Sequence, residues 1–396
     1  MLPSRCRSWC AALALALSGC RAATPPPDAA VAPPPPPAPS ETYAQALSRA
    51  QHAYDILDLD EALAGARSAI AIEDTAAAHD LAARAHLAQL EFPAAIAELA
   101  SLSDVASTTL RARALWLSDD PGGAAKELAT LPSDSSANGD WGAQVVELAR
   151  TAPTGAFFDV RGNAGPVTVK VPGANTGLLV SCEIDGHVVR ALLAFGLPEV
   201  TVSASAPSDT AHWTTIRLLG ANGAAYTIHN VPAFVAPQQD TIFWASVAKE
   251  YVDAVLGSSL LRRLLPSVDV SARTVTLPGR LAGPSARASV PVVYSLGSYP
   301  LVRLHVVHGR TASLVLGMTD FPPLKVVASS FDTVFFKDSA TLELGSVSQG
   351  PAFVMVMPPD HRYAGVDVPV DGVLGASFFE HLRVTFADGG RTLLVE

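Results

Sequence analysis

The sequence predicts a multidomain α plus all-β protein: an N-terminal run of helical hairpins followed by a duplicated β-barrel domain. Three observations predict it. An Ala- and Leu-rich stretch from Glu41 to Ala152 holds few β-branched residues and spaces its apolar positions by three and four, as in Ala62, Ala66, Ala69 and Ile70. From Pro153 onward the period falls to two, in short β-branched segments bounded by Gly, Pro, Asn or Asp, such as GPVTVKV from Gly165, AHWTTIRLL from Ala211 and SATLELGSV from Ser339. Finally, YVDAVLGSSLLRRLLPSVDVSARTVTL from Tyr251 aligns without a gap on PVDGVLGASFFEHLRVTFADGGRTLLV from Pro369.

In chain order the first element is an address. Arg5 and Arg7 precede an apolar run from Trp9 to Leu17, the charged and hydrophobic regions of a secretory signal, too short for a conventional membrane-spanning helix. Leu17-Ser18-Gly19-Cys20 resembles the bacterial lipobox, which implies removal of residues 1–19 and lipidation of Cys20. Stable anchoring takes more than one acyl chain, as such lipoproteins carry. Arg21 follows Cys20 in place of an inner-membrane retention Asp, so the expectation is a lipid-anchored protein of the bacterial cell envelope, at the outer membrane and facing the periplasm. Residues 20–40 form a proline-rich tether; proline fixes φ and removes a donor, which favours an extended spacer.

The helical domain spans 41–152. LDLDEALAGA from Leu57 aligns with LEFPAAIAEL from Leu90, setting Ala62 over Ala95, and a shorter third unit runs from Arg111. This resembles tetratricopeptide repeats, whose small residues let paired helices approach and whose arrays take peptides or partner proteins. Trp141 to Arg150 reads as a last helix, and Ser133 to Gly139 as a loop.

The β region divides into lobes at 153–281 and 282–396, joined by PGRLAGPSARA. Asp253 falls on Asp371, Gly257 on Gly375, Leu264 on Leu382 and Arg273 on Arg391, and GHVVRALLAFG from Gly186 matches GRTASLVLGMT from Gly309. These paired segments resemble the retropepsin-like form of the aspartic-protease fold. The resemblance implies, in each lobe, an apolar strand running into an Asp-Thr-Gly turn, a flap hairpin, an apolar strand ending in Leu-Gly, a short helix and a closing hairpin. It also implies an inter-lobe cleft and structural roles for Asp253, Gly257, Asp371 and Gly375.

The catalytic turns depart from that pattern. They read Ala194-Phe195-Gly196 and Gly317-Met318-Thr319. The chemistry needs two carboxylates about 3 Å apart sharing one proton. Neither Ala194 nor Gly317 holds one, so no catalytic residue is expected, and the cleft floor is expected to be apolar: Ala194, Phe195 and Met318. Glu199 and Asp320 are the nearest displaced carboxylates.

Composition narrows the remaining classes. With 27 Lys plus Arg against 37 Asp plus Glu, the net charge of -10 excludes a surface that tracks phosphates, and no nucleic acid is expected. Hydrophobic residues reach 49% and charged residues only 16%. Cys6 and Cys10 leave with the signal and Cys20 takes lipid, so Cys182 remains as buried filler without a disulfide. His305 and His308 alternate across a strand, and His187 and His229 stand alone, so neither a metal nor a cofactor is expected. GANTG and LGANG lack the strand-turn-helix setting of a phosphate loop, and Ser258 lacks a positioned base. The expected function is a non-catalytic envelope lipoprotein that binds peptide or protein through its helical repeats or its cleft. The alternatives are an aspartyl-type peptidase with a non-standard site and a purely structural envelope protein.

Overall fold

In the computed structural model, helix formation begins at Thr42, whose hydroxyl accepts from the Gln45 amide while the Gln45 side chain accepts from the Thr42 amide. This capping box satisfies two donors that the first turn leaves open. The structure describes residues 41–132, 140–160, 166–171, 178–203, 210–220, 223–236, 251–278, 286–306, 311–317, 324–327, 340–358, 363 and 365–396. The chain divides into Met1–Ser40 and Glu41–Glu396. The expected signal, Cys20, the tether, the loop at 133–139 and the joint at 279–285 lie outside the described residues.

Three helical hairpins follow: α1 (Tyr43–Asp55) with α2 (Leu59–Ile72), α3 (Ala76–Ala88) with α4 (Phe92–Glu98), and α5 (Val105–Leu117) with α6 (Pro121–Leu128). A further helix, α7 (Asp140–Arg150), lies where Trp141 to Arg150 predicted one. Each hairpin turns through one left-handed residue, at Leu57, Leu90 and Asp119, with φ of 61°, 61° and 69°. The first two turns keep the spacing of the sequence match. The third hairpin starts at Val105, capped by the Asp104 carboxylate, and not at Arg111. Small residues set the closest approach of α1 and α2: a Cβ built on Gly65 would stand 2.9 Å from that of Ala50.

The β region opens with β1 (Asp159–Val160) and β2 (Val167–Lys170). The first lobe then holds β3 (Leu179–Ile184), β4 (His187–Ala194), β5 (Val200–Ser203), β6 (His212–Leu219), β7 (Ala225–Ala236) and β8 (Ala254–Gly257), then helix α8 (Ser258–Leu264) and strands β9 (Ser267–Asp269) and β10 (Thr274–Leu277). The second holds β11 (Ala288–Pro291), β12 (Val293–Ser295), β13 (Tyr299–Val306), β14 (Thr311–Gly317), β15 (Leu324–Val327), β16 (Ala340–Leu344), β17 (Val347–Ala352), β18 (Val354–Met357) and β19 (Gly372–Gly375). A 3-10 turn (Ala376–Phe379), β20 (Arg383–Ala387) and β21 (Thr392–Val395) complete it.

The first sheet runs β1-β7-β5-β8-β4-β3-β6, and β7 also pairs β6, so it closes like a barrel. The second runs β17-β16-β13-β14-β19-β15-β18, the same order with the long β7 replaced by two strands that part at Phe353. In both, two strands that end at glycine or alanine lie parallel: β4 on β8, with Ala194 beside Gly257, and β14 on β19, with Gly317 beside Gly375. A third sheet, β11-β21-β20-β9-β10-β2, takes three strands from each lobe. At its middle the Ser267 and Thr385 hydroxyls bond at 2.6 Å. These two residues are 118 positions apart, the spacing that also relates Asp253 to Asp371, so their pair marks the two-fold relation between the halves.

Asp253 and Asp371 hold equivalent joints. The Asp253 carboxylate accepts from the Arg190 amide at 2.8 Å and that of Asp371 from the Ser313 amide at 2.9 Å, while the backbone amide of each donates back to the same neighbour. Each carboxylate thus ties the strand before the Leu-Gly to the strand that enters the turn. Replacing either by alanine strips the acceptor from a backbone donor, and the expected loss is about 1–3 kcal/mol of stability at each site, partly recovered by asparagine. Denaturant unfolding of the four variants measures it; unchanged midpoints would remove this role.

Candidate functional site

The two degenerate turns meet. A Cβ built on Gly196 would lie 3.8 Å from the Cα of Gly317 and 3.6 Å from a methyl of Val315. Positions 194 and 317, where the resemblance puts the catalytic aspartates, therefore end two strands that converge on one seam. Ala194 is buried, and its apolar neighbours are Leu179, Leu192, Ala236, Val252 and Val255.

Phe195 does not line the floor of a cleft. It turns to the opposite face, is 1% exposed, and stacks on Phe386 of β20 with centroids 4.6 Å apart and planes within 4°. The expected apolar floor of Ala194, Phe195 and Met318 is corrected accordingly: alternation along the chain sends position 195 into the core between the seam and the six-stranded sheet. Met318, Thr319 and Asp320 lie outside the described residues.

Glu199 is buried, and its surroundings are largely helical. Burial raises its carboxyl above the ordinary range, while Arg113, Trp141, Trp116 and Arg262 pull the other way by favouring the charged form. Ser259 donates to it at 3.5 Å. Three of these neighbours belong to α5 and α7, so the side chain is held against the helical domain. Arg113 lies 5.0 Å from the Trp141 ring centre, which completes the cluster. Nothing in the sequence paired Glu199 with Arg113 or the two tryptophans.

The sign of the Glu199 shift makes a prediction. A carboxyl with a raised folded-state pKa binds its proton more tightly when folded, so stability is lost as pH rises above the unfolded value near 4.5. Glu199→Gln removes that dependence. The expected result is a melting temperature that gains on the wild type as the pH goes from 4.5 to 7.5; a gain that shrinks over this range would mean that Arg113 dominates the site.

The other candidates have structural partners where they stand. Asp253 and Asp371 each commit one carboxylate oxygen to a backbone amide. Burial, with Asp253 nearby, pushes the Cys182 thiol up to about 12, far from a reactive thiolate. Ser258 donates to the Ser298 carbonyl. Gly257 must lack a side chain because a Cβ there would collide with the Glu199 carbonyl as the two strands cross. Gly375 holds the matching place beside Gly317. Among the described residues no three of His, Cys, Asp and Glu gather as metal ligands.

No family model matches this sequence, and no curated protein matches it. Among solved structures it is similar to basic 7S globulin from soybean, with a TM-score of 0.42 and 9% identity over 59% of this chain and 96% of that chain.

Proposed function

We propose that this chain is a non-catalytic cell-envelope lipoprotein, a protease-like scaffold of retropepsin type whose β lobes and tetratricopeptide-like hairpins serve binding and assembly. The observation that carries the reading is the seam itself. On the resemblance, an aspartic peptidase keeps its paired carboxylates on the two strand ends that converge here, and in this sequence those positions are Ala194 and Gly317. Hydrolysis of an amide needs a group that activates water and a group that delivers a proton. Neither residue titrates, so no pH restores the pair. Glu199 does not substitute, because its side chain is enclosed with Trp116, Trp141 and Arg113. Cys20 supplies the anchor and the prolines that follow supply the reach.

Two measurements on one preparation test it. Purified residues 41–396 are expected to leave denatured casein and a mixed peptide library intact from pH 3 to 8, and to ignore a transition-state peptide that captures aspartic peptidases. The full chain is expected in the detergent-soluble membrane fraction of an expressing bacterium, and its Cys20→Ser variant in the soluble fraction. Turnover abolished by Glu199→Gln or Asp320→Asn would overturn the non-catalytic half; retention of Cys20→Ser in washed membranes would overturn the anchor.

A further inference from the structure

Side chains alternate across the strands that reach the seam, and the alternation gives the seam two faces. Leu193, Phe195, Leu256, Leu314, Leu316 and Leu374 point into the core that rests on the six-stranded sheet. Leu192, Ala194 and Val255 of the first lobe, with Val315 and Val373 at the equivalent places of the second, point the other way. This second face contains positions 194 and 317, and on the aspartic-protease resemblance it is the one across which an extended chain would lie between the lobes.

The helical domain sits on the second-lobe half of that face, while Leu192, Ala194 and Val255 pack with Leu179, Ala236 and Val252 of their own lobe. Val315, Val373, Leu301 and Val368 share one apolar core with Ala50, Tyr54, Leu81 and Ala85 of α1 and α3. Val315 is 5% exposed and is also the residue that Gly196 approaches, so the cover reaches the point where the two turns meet. On the first-lobe side, α5 and α7 reach Glu199 through Arg113, Trp116 and Trp141.

Polar links pin the arrangement at several places. The Tyr54 hydroxyl donates to Asp367 at 2.9 Å, Ser295 donates to the other oxygen of the same carboxylate at 2.5 Å, and Arg84 stands 3.6 Å away. Arg263 of α8 pairs with Asp119 at 2.5 Å. Gln144 of α7 bonds both the amide and the carbonyl of Val235 on β7. Between the β12–β13 turn and the helices a Cβ on Gly297 would meet Leu117 at 2.8 Å. A hollow of only about 10 Å³ remains beside Trp116, Trp213 and Arg262, at the lower limit for a single water.

We propose that the helical domain is an intramolecular cover of the seam: helices α1 and α3 close in cis the second-lobe half of the face on which an extended peptide would be received, as far as Val315 where the turns meet, and such a peptide gains that half only when they lift. The inner face of the hairpins is consumed by the same contact, so neither surface is free while the two are docked. The identity of the excluded partner, an extended apolar peptide, rests on the binding reading above; the closure does not.

Thiol accessibility tests it in residues 41–396, where Cys182 is the one native cysteine. Val315→Cys reports on the covered face, Val188→Cys, at a position 69% exposed, on open solvent, and Cys182 on the interior of the first lobe. With a small disulfide reagent, the thiol of Val315→Cys is expected to react at least 100-fold more slowly than that of Val188→Cys. Adding Asp367→Ala, which cuts the Tyr54 and Arg84 link, is expected to speed the reaction of Val315→Cys at least 10-fold and leave Cys182 silent. If Asp367→Ala does not fold, Tyr54→Phe with Asp119→Ala is the milder pair.

Equal rates at positions 315 and 188 would show an open seam and overturn the closure. Simultaneous reaction at 315 and 182 would overturn it too, since the helices would then be part of one inseparable core, as would protection that survives both sets of variants. Carboxymethylated α-lactalbumin, a permanently unfolded chain, is the peptide probe. It is expected to protect the exposed thiol of the loosened variant again; selective exposure without such protection would leave the closure standing and sink the binding reading.

Discussion

With alanine in place of Gly257, the expected result is loss of the cooperative fold of the β region. At this residue the end of β8 passes under the chain that leaves the first turn, and the added Cβ would overlap the Glu199 carbonyl and stand 2.7 and 2.8 Å from the carbonyl carbon and amide nitrogen of the same residue. Those atoms are backbone, held by β5 on one side and by the Glu199 burial on the other, so no rotamer change relieves the overlap. We expect a cost above about 4 kcal/mol, in the range reserved for strong overpacking or strain. Gly186→Ala is the control: it lies in the β3–β4 turn at φ +81° with open space around it, and carries only the strain of a left-handed residue, roughly 1–2 kcal/mol. Soluble yield and urea midpoints of the two variants decide the matter. Equal midpoints would mean that the crossing relaxes and that Gly257 serves no steric purpose.

Restoring the expected turn is predicted to fail as well, for a reason of packing. In Ala194→Asp with Phe195→Thr, the new carboxylate enters the apolar cluster of Leu179, Leu192, Val252 and Val255, and the threonine abandons the stack on Phe386. Removing a buried phenyl ring costs about 3–5 kcal/mol, and an unpaired buried carboxyl adds a further penalty of a few kcal/mol before it takes a proton. Together these approach the whole stability of an ordinary domain, roughly 5–15 kcal/mol. The double variant is therefore expected to lose its melting transition or shift it down by more than about 10 °C, at roughly 2–4 °C per kcal/mol. It should show no peptidase activity. Phe195→Leu, which keeps apolar bulk, should retain most of the stability. A folded double variant that cleaves casein would show that the site was silenced by two substitutions alone.

Much of this architecture was legible in the sequence because the forces that set it are local or repeat. Apolar spacing marked 41–152 as helical and Trp141 to Arg150 as its last helix, since a helix buries one stripe, and the β-branched runs marked the strands. The match of Asp253 to Asp371 and Gly257 to Gly375 marked β8 and β19 as equivalent apolar strands ending at glycine, while their parallel pairing with β4 and β14 came from the structure. The lack of ionisable groups at 194 and 317 is a property of the sequence and needs no coordinates. The third hairpin was harder: its first helix, α5, lost the spacing of the first two repeats, and its boundary at Asp104 is set by a cap that the repeat match did not include.

The direction of Phe195, the enclosure of Glu199 and the docking of α1, α3, α5 and α7 on the lobes were decided only in three dimensions. Each depends on contacts between residues far apart in the chain: Phe195 with Phe386, Trp213 with the Leu148 carbonyl, Tyr54 with Asp367. A sequence states which side chains seek burial, but hydrophobic attraction has no direction. Which apolar face meets which is settled by shape and by the few polar groups that must find partners as water leaves.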